Sequence, residues 1–426
     1  MTSPIWLTDR SRYETGTGRC PRQRYLTYHA GPTGYGYVRK GESLPLATGT
    51  YTHTAAAHLC AHLRDHDQLP LESVVRESIR LATTLYESTI EARGFRGLLA
   101  SESTDAVLGE QVSLITGMIW AFRMVILPWL HQEFRVLEVE NETIFPLTDQ
   151  IGLMQRLDIL AEKRLNRNLA YMDLKTTGRP ADQWAEEWET KPQLALGTLG
   201  IPERYLGREV SELYVIGFNK GYRKKDSDDQ IRQGSPFCYG YRRPANPPLA
   251  EEAWLPSYEW IDDQGQTKRA GREYRKAPSV EYPGGGEAWV RQLPDSVLRK
   301  QVFLVGPLNV QEIQLACLHR QIVGEEEKWT RLLWELYEIG QQYPWDSEHF
   351  QAQLDRLVPC SWNCRPFGAR HQCEMVSVCF RNSGWQDPIG SGLYAARKPH
   401  HRPELEAAVA RGLLPAEMLE AEEEEA

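Results

Sequence analysis

The stretch YMDLKTT, residues 171–177, combines strand-forming residues with one carboxylate and one amine. Tyr, Met, Leu and Thr favour a β-strand. In a strand, side chains two positions apart point to the same side, so Asp173 and Lys175 share one face. Such a pair on a mostly apolar strand is either a structural ion pair or the rim of an active site.

Two further residues suggest which chemistry that site would perform. Asp158 in QRLDIL and Asp173 lie in consecutive strands that we expect to form a hairpin. Two carboxylates from adjacent strands can share Mg²⁺ or Mn²⁺, and His53 in GTYTH would add a nitrogen that favours Mn²⁺. Beside such an ion, Lys175 would orient or help deprotonate a water molecule and stabilise charge in the transition state. These groups are suited to phosphodiester hydrolysis.

Each of these residues also has a simpler interpretation. Asp158 can pair with Arg156, and His53 at the front of a helix can be a capping or surface group. Gln193 in KPQLALG can be an exposed helix residue. A DxK pair in a strand is weak evidence of catalysis by itself. The order and spacing of the whole set, rather than any one member, favour a site.

The cysteines indicate a second metal centre. Four of the eight are scattered, and four lie within twenty residues, at Cys360, Cys364, Cys373 and Cys379. In a cytosolic chain this uneven spacing indicates ligation rather than disulfides. Four thiolates suit either an iron–sulfur cluster or Zn²⁺. A local zinc site from the four clustered cysteines, with Cys20 merely buried, is one arrangement.

Hydrophobic periodicity predicts the elements that would position these residues. Helices are expected at 50–66, 71–95, 105–131, 181–200 and 309–340, and strands at 134–145, 150–162, 168–177 and 210–224. Residues 225–295 are rich in Gly, Pro and Tyr and are interpreted as an insertion or a β-rich lobe. We expect a single elaborated domain over 1–383 and a poorly ordered acidic tail over 384–426.

Composition bounds the class of protein. The chain has 426 residues and a formal charge of −9, of which six acids lie in 417–425. Any contact with phosphate must therefore come from a local patch. The N-terminus has no apolar segment behind a basic start, and the longest apolar stretch, 114–130, is interrupted by Arg123 and Pro128. These features predict a cytoplasmic protein with a buried core helix at 114–130.

The order H…D…DxK…Q resembles the RecB-type branch of the PD-(D/E)XK nuclease superfamily, which includes the nuclease domains of RecB and AddB and related CRISPR-associated exonucleases. Gly49 and His53 match the first motif, Asp158 the second, and Asp173 with Lys175 the (D/E)xK motif. Gln193 matches the Gln of the QxxxY helix, but Gly197 stands where the Tyr is expected, which puts one DNA contact in doubt. The match extends in scattered motifs over residues 15–380. It implies an α/β fold, with a mixed central sheet flanked by helices, helical insertions and a cysteine-bearing C-terminal segment.

The resemblance also implies a [4Fe–4S] cluster held by one upstream and three C-terminal cysteines. Cys20 in RCPRQRYL fits the upstream place and CEMVSVC supplies Cys373 and Cys379. Cys364 is the favoured fourth ligand and Cys360 the alternative. The cluster would then join 360–379 to Cys20.

Taken with the residues, the resemblance predicts a Mg²⁺- or Mn²⁺-dependent DNA nuclease, an exonuclease on single-stranded or end-exposed DNA in recombination, repair or phage-type processing. His53, Asp158 and Asp173 would hold the metal, while Lys175 and Gln193 assist. A helicase or recombination protein is an expected partner. The alternative is a non-catalytic DNA-binding or assembly subunit stabilised by zinc or a cluster. Candidate DNA contacts are Arg22, Arg24, Tyr222, Arg223, Lys224 and Lys225.

Overall fold

A computed structural model describes residues 6–98, 102–189, 191–206, 208, 210–225, 231–233, 235, 237, 242–244, 259–261, 267–269, 279–281, 287, 290–291, 293–308, 312–361, 373–382, 384–399, 401–412 and 414–415. The predicted insertion at 225–295 lies mostly outside these residues, as does Cys364.

Helices occur where the sequence has an apolar period of three to four residues. In chain order they are α1 Arg10–Glu14, α2 Pro21–Tyr28, α3 Leu44–His66, α4 Glu72–Arg93, α5 Thr104–Glu133, α6 Ala181–Ala185, α7 Pro192–Thr198, α8 Ile201–Arg204, α9 Asp295–Gln301, α10 Glu312–Gln342, α11 Glu348–Leu357, α12 Val376–Cys379 and α13 Arg402–Ala410. A π-helix spans Thr15–Arg19 and a 3₁₀ helix spans Glu186–Glu189.

The strands are short except for those around the candidate site. They are β1 Trp6–Asp9, β2 Tyr37–Arg39, β3 Glu42–Ser43, β4 Phe95–Arg96, β5 Phe134–Pro146, β6 Ile151–Lys163, β7 Leu169–Thr177, β8 Val210–Asn219, β9 Arg223–Lys225, β10 Ile231–Gln233, β11 Arg242–Pro244, β12 Glu259–Ile261, β13 Thr267–Arg269, β14 Ser279–Glu281, β15 Val302–Leu308 and β16 Tyr394–Ala396.

The chain divides into two compact units rather than the single domain expected from the sequence. The first comprises Met1–Lys40, Glu142–Gln155 and Gln311–Ala426, and the second comprises Gly41–Asn141 and Arg156–Val310. The division is discontinuous in sequence because each unit is assembled from distant segments, which hydrophobic periodicity cannot reveal.

The second unit is built on a mixed sheet. β6 and β7 are antiparallel, β7 and β8 parallel, and β8 and β15 antiparallel, while β5 pairs with β6. One apolar cluster joins this sheet to α3, α4 and α5, and another includes Tyr171, Trp184 and Trp188. The mixed sheet flanked by helices agrees with the expected fold class.

The long apolar helix α5 is a core element of the second unit. It is long and apolar enough to cross a membrane by length and composition alone, but 67% of its most apolar window is buried inside the protein. Leu114, Met118 and Phe122 are fully buried and belong to the cluster with α3 and α4. A core helix was the expectation for this segment.

Part of the segment 384–426, which was expected to be a poorly ordered tail, forms regular structure in the first unit. β16 pairs antiparallel with β2, and α13 buries Leu405 and Ala408. Arg12 anchors this helix because it donates to both carboxylate oxygens of Glu404, at 2.6 and 2.7 Å. The Pro-, His- and Glu-rich composition of 384–412 gave no sign of this distant partner. The prediction was therefore wrong for the strand and the helix.

Candidate active site

Strands β6 and β7 bring Asp158 and Asp173 together. Their ladder pairs Ile159 with Met172, so each aspartate lies one residue beyond that pair, on adjacent strands. The backbone N–H of Leu174 donates to Asp158 Oδ2 at 2.6 Å. The hairpin predicted from sequence thus places both carboxylates at one point of the sheet.

The amine of Lys175 lies between these two carboxylates. Its Nζ is 2.8 Å from Asp173 Oδ2 and 3.8 Å from Asp158 Oδ2, and it donates to the carbonyl of Leu174 at 2.9 Å. Lys175 is only 24% exposed in its side chain. A charged amine is therefore held beside both acids.

Helix α3 delivers His53, and Gly49 lets the helix approach β7. A Cβ built at Gly49 would lie 2.9 Å from Thr176 Oγ1, so a larger residue would force the helix and strand apart. Burial and the nearby charge of Lys175 lower the pKa of His53 to about 3. The imidazole is thus neutral at ordinary pH and keeps a lone pair for a metal.

Glu140 is a functional candidate that the sequence reasoning missed. One ligand atom each from His53, Glu140 and Asp158 lies within 4.8 Å of the others, which is the spacing of ligands around one ion. Glu140 has φ of 49°, an uncommon backbone conformation for a non-glycine residue in a strand. Arg156 Nε donates to its carboxylate at 2.5 Å, so Arg156 pairs with Glu140 rather than with Asp158 as the simpler interpretation supposed.

The ligand set of His53, Asp158 and Asp173 stays a prediction, to which the structure adds Glu140 as a further candidate. Within the described residues, the compact group contains Glu140 in place of Asp173. Asp173 is instead held by three donors: Lys175, Gln193 Nε2 at 2.9 Å and Tyr171 Oη at 3.2 Å. Lys175, which contacts Asp173 and lies near Asp158, connects the Asp173 carboxylate to the group of His53, Glu140 and Asp158.

The electrostatics of the group fit a divalent cation. Burial raises the pKa of Asp158 to about 7; Lys175 opposes this shift, while the charges of Asp173 and Glu140 add to it. Several acids crowded in a buried place cost free energy unless a cation neutralises them. Two carboxylates and a neutral imidazole are ligands that Mg²⁺ and Mn²⁺ accept.

Tyr171 occupies the space that the missing helix tyrosine would need. Gln193 lies on α7, and Gly197 follows one turn later. A Cβ at Gly197 would lie 2.6 Å from the Tyr171 ring. Tyr171 is buried on β7 and reaches Asp173 from two residues away on the same face. The ring of Tyr171 thus leaves no room for a side chain at position 197.

Two residues predicted to contact DNA, Arg22 and Arg24, are buried in the structure. Arg22 is buried and donates to the carbonyls of Val358 and Leu354, and also to Asp355. Arg24 is fully buried and pairs with Glu326 at both carboxylate oxygens. Neither side chain can reach a phosphate from these positions.

The remaining candidates lie in and before β9. Arg223 pairs with Glu102 at 2.5 Å and Glu110 at 3.4 Å and is largely covered. Tyr222 is 50% exposed and packs against Gly178, directly after β7. For Lys224 and Lys225 the structure describes the backbone of β9 alone. Among the candidates whose side chains the structure describes, Tyr222 is therefore the most accessible.

Four thiols of the first unit lie within electrostatic reach of one another. The pKa of Cys373 is raised by burial and by Cys20 and Cys360, and that of Cys379 by burial and by a hydrogen bond with Cys360. Burial also acts on Cys20, but hydrogen bonds from Ser361 and from the backbone of Gln23 and Arg22 outweigh it and lower its pKa. Cys360 thus lies near Cys373 and Cys379, and the next residue, Ser361, donates its backbone N–H to Cys20 Sγ at 3.5 Å, whereas Cys364 lies outside the described residues.

Comparison with known families matches residues 11–379 to the PD-(D/E)XK nuclease superfamily. The match spans most of the chain, from before Cys20 to Cys379, and includes every candidate active-site residue. The chain therefore belongs to this superfamily. Its members use divalent metals, so the protein is a metal-dependent nuclease with DNA as the implied substrate class. A search of curated proteins finds no match.

Proposed function

We propose that this protein is a Mg²⁺- or Mn²⁺-dependent deoxyribonuclease that degrades single-stranded or end-exposed DNA. The observation that carries the proposal is the amine of Lys175 in contact with Asp173 and near Asp158, beside the ligand group of His53, Glu140 and Asp158. A non-catalytic subunit would have no need of this set. The resemblance to RecB-type nucleases supports an exonuclease.

His53, Glu140 and Asp158 would hold the metal, with Asp173 next to them. A divalent cation there supplies Lewis-acid stabilisation of the scissile phosphate and of the attacking oxygen. The chain's own residues do the rest of the positioning. Tyr171 and Gln193 fix the carboxylate of Asp173, and that carboxylate in turn holds Lys175.

Lys175 is the group that acts on water. Its ammonium contacts Asp173 at 2.8 Å, donates to the carbonyl of Leu174 and lies 3.8 Å from Asp158, so it is fixed where it can orient the attacking water and stabilise the extra charge on phosphorus. The water oxygen bonds to phosphorus as the bond to the 3′ oxygen breaks, and the water proton ends on solvent or the leaving oxygen. The expected products carry a 5′-phosphate.

A [4Fe–4S] cluster is proposed for the thiols of the first unit, with Cys20, Cys373, Cys379 and Cys360 as ligands. This choice makes Cys360, rather than Cys364, the fourth ligand, because Cys360 lies beside Cys379. Cys20 comes directly before the first turn of α2, a position that favours a thiolate.

The position of Cys20 favours the cluster over zinc. Its charge acts on both Cys373 and Cys379, so Cys20 lies near the C-terminal thiols. A [4Fe–4S] cluster of the kind implied by the resemblance uses this upstream cysteine, whereas a local zinc site would leave it out.

The proposal also covers the cell compartment and the partner protein of the nuclease. Reduced thiols require a reducing compartment, which supports the cytoplasm. Processing of DNA ends in recombination, repair or phage replication needs the strands separated, so a helicase or recombination protein is the expected partner.

Digestion of end-labelled linear DNA and of closed circular DNA tests the enzyme directly. With Mg²⁺ or Mn²⁺ we expect linear single strands and exposed ends to be degraded, circles to be spared and chelation to stop the reaction. Asp173→Ala and Lys175→Ala should each lower the rate by about 10²-fold or more. Lys163→Ala is the matched control, because Lys163 lies at the far end of β6 and pairs with Glu212 at 2.6 Å.

Three results would contradict the proposal. If the wild-type protein is inactive with both metals, the proposed nuclease activity is refuted. If Asp173→Ala or Lys175→Ala keeps full activity, the assignment of the active site is refuted. Cleavage of circular DNA as fast as linear DNA would overturn the exonuclease assignment alone.

A further inference from the structure

Helix α3 carries a second set of histidines beyond the active site. Four of the eleven histidines of the chain lie on it, at His53, His58, His62 and His66. The last three are spaced by four residues, so consecutive members lie one turn apart on the same face. His58 and His66 are exposed and His62 is partly exposed.

The rings of His62 and His66 are in contact. Their ring centroids are 4.5 Å apart and the ring planes are tilted by 50°. Burial lowers the pKa of His62, and the neighbouring His66 and His58 lower it further. These effects favour the neutral ring of His62, whose nitrogens can donate an electron pair.

The tautomer of His58 follows from its partner. Its Nδ1 is 2.6 Å from the hydroxyl oxygen of Ser78, and that hydroxyl donates its own proton to the carbonyl of Val74 at 2.8 Å. The Ser78 oxygen must accordingly accept from Nδ1–H of His58. The lone pair then lies on Nε2, and the ring is oriented by a hydrogen bond to its other nitrogen, as in most metal-binding histidines.

We propose that His62, with His58 or His66 one turn away, forms a surface site for a transition-metal ion such as Zn²⁺, Cu²⁺ or Ni²⁺. Imidazoles four residues apart on a helix can ligate one ion, and imidazole suits these three metals. His58 and His66 are about 12 Å apart along the axis, so one ion cannot take both. His62 is common to either pair, and water would fill the remaining positions.

This site differs from the active site in place and in chemistry. His53 lies nine residues before His62, about 14 Å along the helix. The active-site group contains two carboxylates suited to hard cations, whereas the ligands proposed on the outer face are imidazoles. The inference does not depend on the proposed nuclease activity.

Retention of the untagged full-length protein on immobilised Ni²⁺ tests the site. A tethered ion reaches exposed histidines but not the half-buried active site or the covered thiols. We expect the wild type to be retained and eluted by imidazole, and His62→Ala and His62→Gln to leave in the wash. His58→Ala and His66→Ala should each elute earlier than the wild type. His349→Ala, which removes an exposed histidine whose ring contacts that of Tyr343, should elute with the wild type.

Circular dichroism and thermal unfolding show whether the variants fold. The site is refuted if the wild type passes through the column. It is also refuted if folded His62→Ala and His62→Gln are retained as strongly as the wild type. Either result leaves the proposed nuclease activity untouched.

Discussion

At the scale of residues, the candidate active site places an amine between two carboxylates, with an imidazole and a further glutamate beside them. In the sequence, Asp158, Asp173, Lys175 and His53 stand out because their types and order match a known chemistry. Glu140 does not, since a glutamate in VENETIF is one of several. One signal was available: Glu138, Glu140 and Glu142 alternate along β5 and so give one face an unusual density of acids.

Glu140→Gln tests whether this residue holds the metal. The change removes the charge but keeps the shape, so we expect Mn²⁺ to bind about tenfold more weakly by calorimetry. Glu138→Gln is the matched control on the same strand, because Glu138 is occupied by Arg204 and Tyr205. Equal Mn²⁺ affinity of wild type and Glu140→Gln would exclude Glu140 as a ligand.

Tyr171→Phe tests how Asp173 is fixed. Loss of the hydroxyl removes one donor to Asp173 while the ring still fills the space beside Gly197. We expect about tenfold weaker Mn²⁺ binding or slower cleavage with little loss of stability. Gly197→Ala should displace the ring and produce the same defect, together with a lower melting temperature. Tyr214→Phe removes a tyrosine hydroxyl that contacts Glu212, away from Asp173, and should behave as the wild type. Normal metal binding in Tyr171→Phe would show that its hydroxyl has no positioning role.

At the scale of elements, local patterns predicted strands and helices well but not their distant anchors. The β6–β7 hairpin and the long helices followed from periodicity. The burial of Arg22 and Arg24 could not be predicted, because their partners lie more than 300 residues away. The order of α13 was missed for the same reason. Charged residues near a motif are thus poor guides to a binding surface when their partners are unknown.

His401, at the start of α13, makes the stability of the first unit depend on pH. Its Nε2 is 3.2 Å from Asp9 and its Nδ1 is 3.1 Å from Glu142. Burial alone would lower the pKa of His401, but the hydrogen bonds and charges of the two acids raise it to about 9. A raised pKa gives stability that is complete below about pH 6.5 and is lost as pH rises through about 9.

Urea unfolding between pH 6 and pH 9.5 measures this contribution. We expect the wild type to exceed His401→Gln in free energy of unfolding by on the order of 2 kcal/mol at pH 6, and the difference to shrink towards pH 9.5. His349→Gln, at an exposed position, should show no such pH-dependent difference. A difference that is constant with pH would mean that His401 contributes by packing alone.

At the scale of the whole molecule, the proposed cluster would join parts of the chain that are far apart in sequence. Cys20 and Cys379 are more than 300 residues apart, and closing so long a loop restricts the unfolded chain strongly. The sequence indicated that Cys20 belongs with the C-terminal cysteines through a resemblance. It could not choose between Cys360 and Cys364, because that choice depends on how the segment after α11 returns to Cys20.

Anaerobic purification with visible absorption and iron and zinc analysis tests the proposed cluster. We expect a brown protein that contains iron. Cys20→Ala and Cys360→Ala should bleach it and lower its melting temperature. Cys317→Ala, at an exposed cysteine outside the group, should stay brown. Zinc in place of iron would refute the cluster. Bleaching by Cys364→Ala but not by Cys360→Ala would restore Cys364 as the ligand.

The division of roles within the active site is tested most directly by measuring Mn²⁺ binding and DNA cleavage on the same preparations. We predict that Lys175→Ala binds Mn²⁺ at least as tightly as the wild type yet fails to cleave, because the amine acts on water and not on the ion. Asp158→Asn should lose both properties, since this carboxylate belongs to the ligand group. Cleavage at the wild-type rate by Lys175→Ala, or undiminished Mn²⁺ binding by Asp158→Asn, would contradict the account.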